Sequence, residues 1–274
     1  MDCWNRYEWA LDNCRTLFVS GPPGVGKTYL SYHHKMADKS LYAMTLGEEA
    51  SSVELRGHYI SKGAEVGTVW NNGPLSDAIE HGKARFVVNE ISNASPDILG
   101  MLYAVLEDPS TAKLTLPTGK TLEVPEDFQC VFTDNFDADR ALPAALKDRI
   151  EAFVECKEPH PAALEKIAAP LRSYACNAVS TGTSGLRAWA HLTRYLQKDL
   201  NTEIAVELAF GRVNEVLTSL IGEAMASYVR ETPEVNPTVE PVVTTASLHR
   251  DSPKIARGSD GILRVVNPTR EVPF

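Results

Sequence analysis

The chain has 274 residues, 43% of them hydrophobic, with 27 Lys+Arg against 36 Asp+Glu for a net charge of −9. That length leaves room for one large domain or two modest ones and the apolar share suits a chain with a real core, while the acidic balance speaks against an electrostatic footprint for DNA or RNA. Cys3, Cys14, Cys130, Cys156 and Cys176 are scattered without C-x-x-C spacing, which argues against a disulfide framework or a zinc site and for a reducing compartment. No apolar run approaches the roughly 18 residues of a membrane span, and MDCWNRYEWALDN at the start carries charges where a signal peptide would be greasy, so a cytoplasmic protein without membrane partners is expected.

The first predicted strand, TLFVS at 16–20, runs into GPPGVGKT at 21–28. G-x-x-x-x-G-K-[ST] is the spacing of a phosphate-binding loop, in which glycines let successive backbone N–H groups turn inward around a phosphate and the next helix adds its positive end. Gly21, Pro22, Pro23, Gly24, Val25 and Gly26 would form the cradle. Lys27 would neutralise the β- and γ-phosphates, Thr28 would ligate Mg²⁺, and Tyr29 completes the nucleotide-binding set.

Further strands are predicted at 41–45, 85–89, 129–133 and 152–156, each short and nearly continuous in apolar character, as expected of strands buried on both faces. Helical segments fall at 27–38, 74–82, 95–107 and 143–149, with Ser95 as N-cap and Pro96 at the first helical position of the third. The alternation of strands and helices predicts an α/β fold with a parallel P-loop sheet. Residues 113–124 alternate apolar and polar around Pro117-Thr118-Gly119 and predict an inserted β-hairpin. After Pro159 the period becomes helical: Leu186, Trp189, Leu192 and Leu196 define one face, and Val213, Val216, Leu217, Leu220, Ile221 and Met225 another. Residues 233–274 hold six prolines and no Trp, Tyr or Cys. The expected organisation is therefore an α/β nucleotide-binding core over 1–158, a small all-α lid over 159–232, and a loose, extended tail over 233–274.

The third sheet strand ends in FVVNE, residues 86–90. P-loop ATPases usually place Asp-Glu here, the first acid for the Mg²⁺ shell and the second to polarise the attacking water. Glu90 keeps the position of a general base at the C-terminal end of a buried strand; a strand running into an exposed cap is the plainer alternative. Asn89 has lost the charge but keeps an oxygen for the Mg²⁺ site. His33 and His34 read as a solvated or core-edge pair rather than metal ligands.

The succession of GPPGVGKT, ELRGHYI (54–60), GTVWNNGPLSDAIEHGKARFVVNEI (67–91), SPDILGMLYAVLED and PTGKTLEVPEDFQCVFTDNFD (117–137) resembles the MoxR/CbbQ/NorQ branch of the AAA+ ATPases, over residues 16 to about 200. The cobaltochelatase ATPase subunit and the gas-vesicle ATPase GvpN are also similar. The resemblance implies that Asn135 is the sensor 1 residue that positions water with Glu90. It implies that Arg149 in LKDRI is an arginine finger reaching a neighbouring subunit's γ-phosphate, and that Arg187 in TSGLRAWA is the sensor 2 arginine. The plainer alternatives are a turn residue for Asn135, a salt bridge to Asp148 or Glu151 for Arg149, and a solvated helix face for Arg187, with Arg140 and Arg194 as substitutes. Residues 55–73 would be an insertion facing an axial pore, where Tyr59 and Trp70 either contact a partner or, for Trp70, pack on the core.

The expected function is an ATP-binding, Mg²⁺-dependent ATP-hydrolysing AAA+ protein that forms a homo-oligomeric, hexameric ring and remodels a protein client, in this branch often a von Willebrand factor A domain protein. One alternative is a slowly hydrolysing ATP-bound scaffold or switch, on account of Asn89. The other is a nucleic-acid-stimulated NTPase motor, which the acidic balance disfavours.

Overall fold

The computed structural model describes residues 1–63, 67–135, 139, 142–211, 215–231, 254–257 and 263–266, with side chains of the last helix described through residue 226. Helix α1 (Cys3–Asn13) precedes strand β1 (Thr16–Ser20) and helix α2 (Lys27–His33). Then come β2 (Ser40–Thr45), α3 (Ser52–Arg56), β3 (Gly57–Ser61), β4 (Thr68–Asn72), α4 (Pro74–His81), β5 (Ala84–Asn89) and α5 (Pro96–Val105). The strands β6 (Lys113–Thr115), β7 (Thr121–Glu123), β8 (Gln129–Asp134), the short helix α6 (Ala144–Lys147) and β9 (Ala152–Glu155) complete the α/β part. From there to residue 231 the described elements are helical: α7 (Pro161–Leu164), α8 (Arg172–Ser180), α9 (Leu186–Leu196), α10 (Thr202–Phe210) and α11 (Glu215–Glu231).

Five strands form one parallel sheet in the order β2-β5-β8-β1-β9. All five expected sheet strands are present, shifted by no more than a residue at either end. The three central ones, β1, β5 and β8, are buried along their whole length, as their apolar runs require. The two outer ones depart from the expectation of burial on both faces: β2 alternates between intermediate and exposed positions, and Leu41 and Phe153 are 38% and 48% exposed. An edge strand has a neighbour on one side only, and its apolar composition does not change that.

Because successive strand residues point to opposite faces, the sheet divides the apolar residues into two cores. Phe18, Phe86, Val88, Cys130 and Phe132 face α3, α4, α5 and the β6–β7 hairpin, with Leu55, Leu75, Ile79, Ile98, Leu102 and Leu122. Leu17, Val19, Val87 and Val131 face α1, α2 and the C-terminal helices, with Trp4, Tyr7, Leu11, Leu30, Leu171, Trp189 and Leu192. The β6–β7 hairpin is the insertion predicted at 113–124, with Leu114 opposite Leu122. Leu186, Trp189 and Leu192 are buried as expected and Leu196 is half-buried against the same core. On the last helix Ile221 is buried, but Val216 is 72% and Leu220 38% exposed, so the apolar face there is narrower than its period suggests; Val213 lies outside the described residues.

Three elements differ from or add to expectation. Helix α2 ends at His33 rather than residue 38, where His34 leaves helical dihedrals and Lys35 turns left-handed with φ 47°. Helix α1 was not predicted, although Asp2 caps it by accepting the Asn5 N–H at 2.7 Å and Trp4, Tyr7, Ala10 and Leu11 recur at helical spacing on its buried face. The proposed pore-facing insertion contains an antiparallel pair, β3–β4, in which Tyr59 lies opposite Trp70. Trp70 packs on the core, and Tyr59 is 51% exposed with the two rings 5.2 Å apart.

The chain divides into two compact units, Met1–Glu231 and Thr232–Phe274. Within the second, the segment expected to be extended, β10 (Lys254–Arg257) and β11 (Leu263–Val266) pair antiparallel. Among the described residues no helix is long and apolar enough to cross a membrane.

The end of α2 opposite the phosphate loop is held by a buried cation. Arg85, 1% exposed at the start of β5, donates through Nη1 to the carbonyls of Ser31 and His34, both at 2.9 Å, and through Nε to Gln129 Oε1 at 2.6 Å. Gln129 in turn donates to the carbonyls of Leu11 and Cys14, so one buried pair caps the C-terminal ends of both α1 and α2. Replacing Arg85 by Leu leaves several buried acceptors without donors. Urea unfolding of Arg85→Leu is expected to show a loss of about 2–5 kcal/mol.

Candidate nucleotide-binding site

The loop between β1 and α2 owes its shape to the dihedral freedom of its glycines. Gly21, Gly24 and Gly26 have φ of 147°, 82° and 119°, a region that side chains rarely enter. A Cβ on Gly21 would sit 2.0 Å from the Cys156 carbonyl oxygen, and one on Gly26 would sit 2.7 Å from His160 Cβ, so the loop is also pressed against the segment after β9. The His160 N–H donates to the Val25 carbonyl at 2.7 Å and fixes that contact.

The loop borders a cleft of about 300 Å³. Pro23, Gly24, Gly26, Lys27, Thr28 and Tyr29 line one side, Glu90, Thr133 and Asn135 the sheet end, and Lys166 and Arg187 the helical side. Lys27 Nζ is 2.7 Å from the Gly21 carbonyl, 2.9 Å from that of Pro22 and 3.1 Å from Asn135 Oδ1. Burial pulls its pKa down from 10.5 to about 8, against the pull of the Glu90 carboxylate, which favours the charged form. Asn135 Nδ2 donates to both Glu90 oxygens at 3.0 and 3.1 Å, so Lys27, Asn135 and Glu90 form one connected chain. Glu90 itself sits in the left-handed region with φ 57° and ψ 50°, a strained backbone for a non-glycine residue.

Asn89, 7% exposed, accepts from the hydroxyls of Thr28 and Thr133 at 2.9 and 2.8 Å and donates to Tyr32 Oη at 3.1 Å. The Thr28 hydroxyl lines the cleft, and the Asn89 amide oxygen lies directly behind it. Among the described residues no group of three His, Cys, Asp or Glu is arranged to hold a metal ion. This donor set fits a magnesium ion that keeps several waters and is held mainly by phosphates; it does not make an all-protein cage.

Arg187, the second residue of α9, lies directly on the loop: its backbone N and Cγ are 3.3 and 3.4 Å from where a Cβ on Gly24 would be. Arg194 instead lies over the Tyr195 ring on an exposed turn of the same helix, and Arg140 is outside the described residues. Arg149 is not among the residues lining the cleft. Its guanidinium donates to Glu107 through Nε at 3.1 Å and through Nη2, and to the Ala145 carbonyl at 2.8 Å, over the Tyr103 ring. Its carbonyl accepts from the Thr16 hydroxyl at 2.8 Å. The partner of Arg149 is thus Glu107 rather than Asp148 or Glu151. His33 is exposed and stacks on Tyr29 with ring centroids 4.3 Å apart, whereas His34 is half-buried and bonds Asp12 at 2.9 Å, so the pair is one solvated and one core-edge residue.

Sequence reasoning overlooked Lys166, Thr133 and Tyr32. Lys166 reaches the cleft from the stretch after α7, with its ammonium over the Tyr29 ring. No spacing rule links it to the loop. Thr133, immediately before Asp134-Asn135, was within reach as a hydroxyl near the end of a sheet strand.

A parallel sheet in this order, ending in a glycine-cradled lysine beside a carboxylate–amide pair, defines a P-loop nucleoside-triphosphatase core. More specifically, residues 16–150, just under half of the chain, match the model of the AAA domain (dynein-related subfamily). No curated protein matches the sequence significantly. Among solved structures the chain is similar to closed-state Hsp104 with ATPγS and FITC casein, at 15% identity and a TM-score of 0.50, over 70% of this chain and 41% of that one. It is also similar to a lysine-to-arginine mutant of RuvB from Thermotoga maritima (14% identity, TM-score 0.47, 82% of this chain and 68% of that). A third is NtrX from Brucella abortus in complex with ADP (16%, 0.46, 78% and 49%). The chain spans less than half the length of the Hsp104 and NtrX chains, and likeness at these identities concerns the fold.

The depressed pKa of Lys27 gives a signed expectation. A phosphate beside the ammonium favours its charged form, so nucleotide binding raises this pKa, and above pH of about 8 binding must take up a proton. Titration calorimetry of ATP at pH 8.5 in buffers of different ionisation enthalpy is expected to show net proton uptake, shrinking towards zero at pH 7, with affinity falling as pH rises through this window. Equal uptake at both pH values would contradict it.

Proposed function

We propose that the protein binds and hydrolyses ATP, assembles as a hexameric ring, and uses turnover to remodel or activate a protein partner in the manner of MoxR-type chaperones. The observation that carries the reading is the connected chain of Lys27, Asn135 and Glu90 in front of an intact phosphate loop. Glu90 takes the proton of the attacking water, Asn135 orients that water together with Glu90, and Lys27 meets the negative charge of the β- and γ-phosphates. Thr28 and Asn89 are the residues that would hold Mg²⁺, which supplies charge neutralisation between the phosphates when bound. Arg187 reaches the phosphates from the same subunit's lid, and Arg149 is delivered to the neighbour's nucleotide. A client linked through a von Willebrand factor A domain protein rests on the resemblance to the MoxR branch.

The neutral Asn89 favours a second reading, in which the ATP-bound ring acts as a slow switch or scaffold. Steady-state phosphate release separates the two. Glu90→Gln is expected to lower turnover about 10²–10⁴-fold while ATP still binds. Asn89→Asp is expected to lower the Mg²⁺ concentration needed for activity and raise turnover. If wild type turns over no faster than Glu90→Gln while binding ATP tightly, the motor reading is lost and the switch remains.

Arg149→Ala is expected to bind ATP normally and lose about 10³-fold or more in turnover, since an arginine supplied in trans meets charge that develops in the transition state. Native mass measurement of Glu90→Gln with ATP tests the ring. A strictly monomeric protein would count against Arg149 as a finger and against the ring together.

A further inference from the structure

We propose that Asp134 is a positioning residue of the hydrolytic site, whose two carboxylate oxygens set the backbones carrying Glu90 and Asn135 at a fixed separation. The inference rests on the reading of Glu90 and Asn135 as the water-handling pair.

Asp134 ends β8 and is 1% exposed. Its Oδ2 accepts the Ser92 N–H at 2.7 Å, and its Oδ1 accepts the Asn135 N–H at 2.7 Å. The first bond anchors the single 3₁₀ turn Ile91–Asn93 directly after Glu90, in which the Asn93 N–H returns to the Glu90 carbonyl at 3.0 Å. The second anchors the residue whose side chain meets Glu90. The strained left-handed backbone of Glu90 persists only if its surroundings over-determine it, and the buried carboxylate is one of the groups that does so. In the sheet Asp134 is also the register partner of Ser20, the last residue before the phosphate loop. The side chain therefore ties the base to its partner amide, while the backbone of the same residue stands level in the sheet with the start of the phosphate loop.

The chemistry selects for aspartate here. Two backbone N–H groups need two separate acceptors, and Asp supplies one on each oxygen. Asn is nearly the same shape but has one oxygen, so its NH₂ group must face one of the two N–H donors. Glu would have to fold an extra methylene into a buried site.

The test uses the full chain. Asp134→Asn is expected to lower kcat about tenfold to a hundredfold, as a displacement of an ångström does, while nucleotide affinity is not weakened, because the phosphate-loop cradle is intact and the change removes a negative charge that acts on Lys27. Amide hydrogen exchange at Ser92 and Asn135, slow in wild type, is expected to accelerate. Asp134→Ser is smaller than the aspartate and offers one side-chain oxygen where two N–H groups need two. It should give the same split between kcat and affinity, and it decides the matter if Asp134→Asn folds poorly. A kcat within about twofold of wild type, or a loss confined to KM and affinity, overturns the inference. A wild type no faster than Glu90→Gln would remove the hydrolytic reading instead. In that case the exchange rates of the two amides still decide: unchanged exchange in Asp134→Asn overturns the positioning role.

Discussion

The phosphate loop can hold its shape only if the helix behind it does not move, and that helix is pinned from the far end by a buried cation. Arg85 reaches the last carbonyls of α2 and, through Gln129, those of α1. Desolvating a guanidinium is costly, and here the cost is offset by carbonyl groups that would otherwise end two helices unsatisfied inside the protein. The Tyr7 hydroxyl adds a second tie, meeting Ser31 and the Lys27 carbonyl. The result is a short helix fixed to the sheet at one end, so that glycine dihedrals set the geometry at the other.

At the front of the sheet the polar residues answer one another in the same way. Lys27 is desolvated enough to lose much of its basicity, yet it is surrounded by two loop carbonyls and an amide oxygen. Asn89 leaves no polar atom of its amide unmatched, because the hydroxyls of Thr28, Thr133, Tyr32 and Thr45 surround it. An amide serves as both donor and acceptor in that setting, so the neutral residue fits the fold; what it changes is the charge available to a cation.

Most of the sheet was legible because strands buried on both faces are apolar along most of their length, and in β5 and β8 the polar exceptions stand near the strand ends, where they are hydrogen-bonded. The same rule misled at β2 and β9: composition does not say which strand stands at an edge. Helix α1 was readable from Asp2, Trp4, Tyr7 and Leu11, but its charges drew attention to what the segment was not. Glu90, Asn135 and the phosphate loop fall together because each sits at the C-terminal end of a parallel strand or directly after it, a position that topology brings to one line. Glu107, Lys166 and Asp134 were not legible in the same way. Each acts through a contact between elements far apart in sequence, or through backbone groups that no motif records.

The bond from the Thr16 hydroxyl to the Arg149 carbonyl gives β1 a second meaning. The strand is five residues long, roughly 17 Å at the usual rise, and is fully buried between β8 and β9. Its first residue grips the backbone of Arg149 and its last runs into the phosphate loop. The backbone of Arg149 and the start of the phosphate loop are thereby fastened to opposite ends of one buried strand, so the distance between them is set by β1 rather than by any loop.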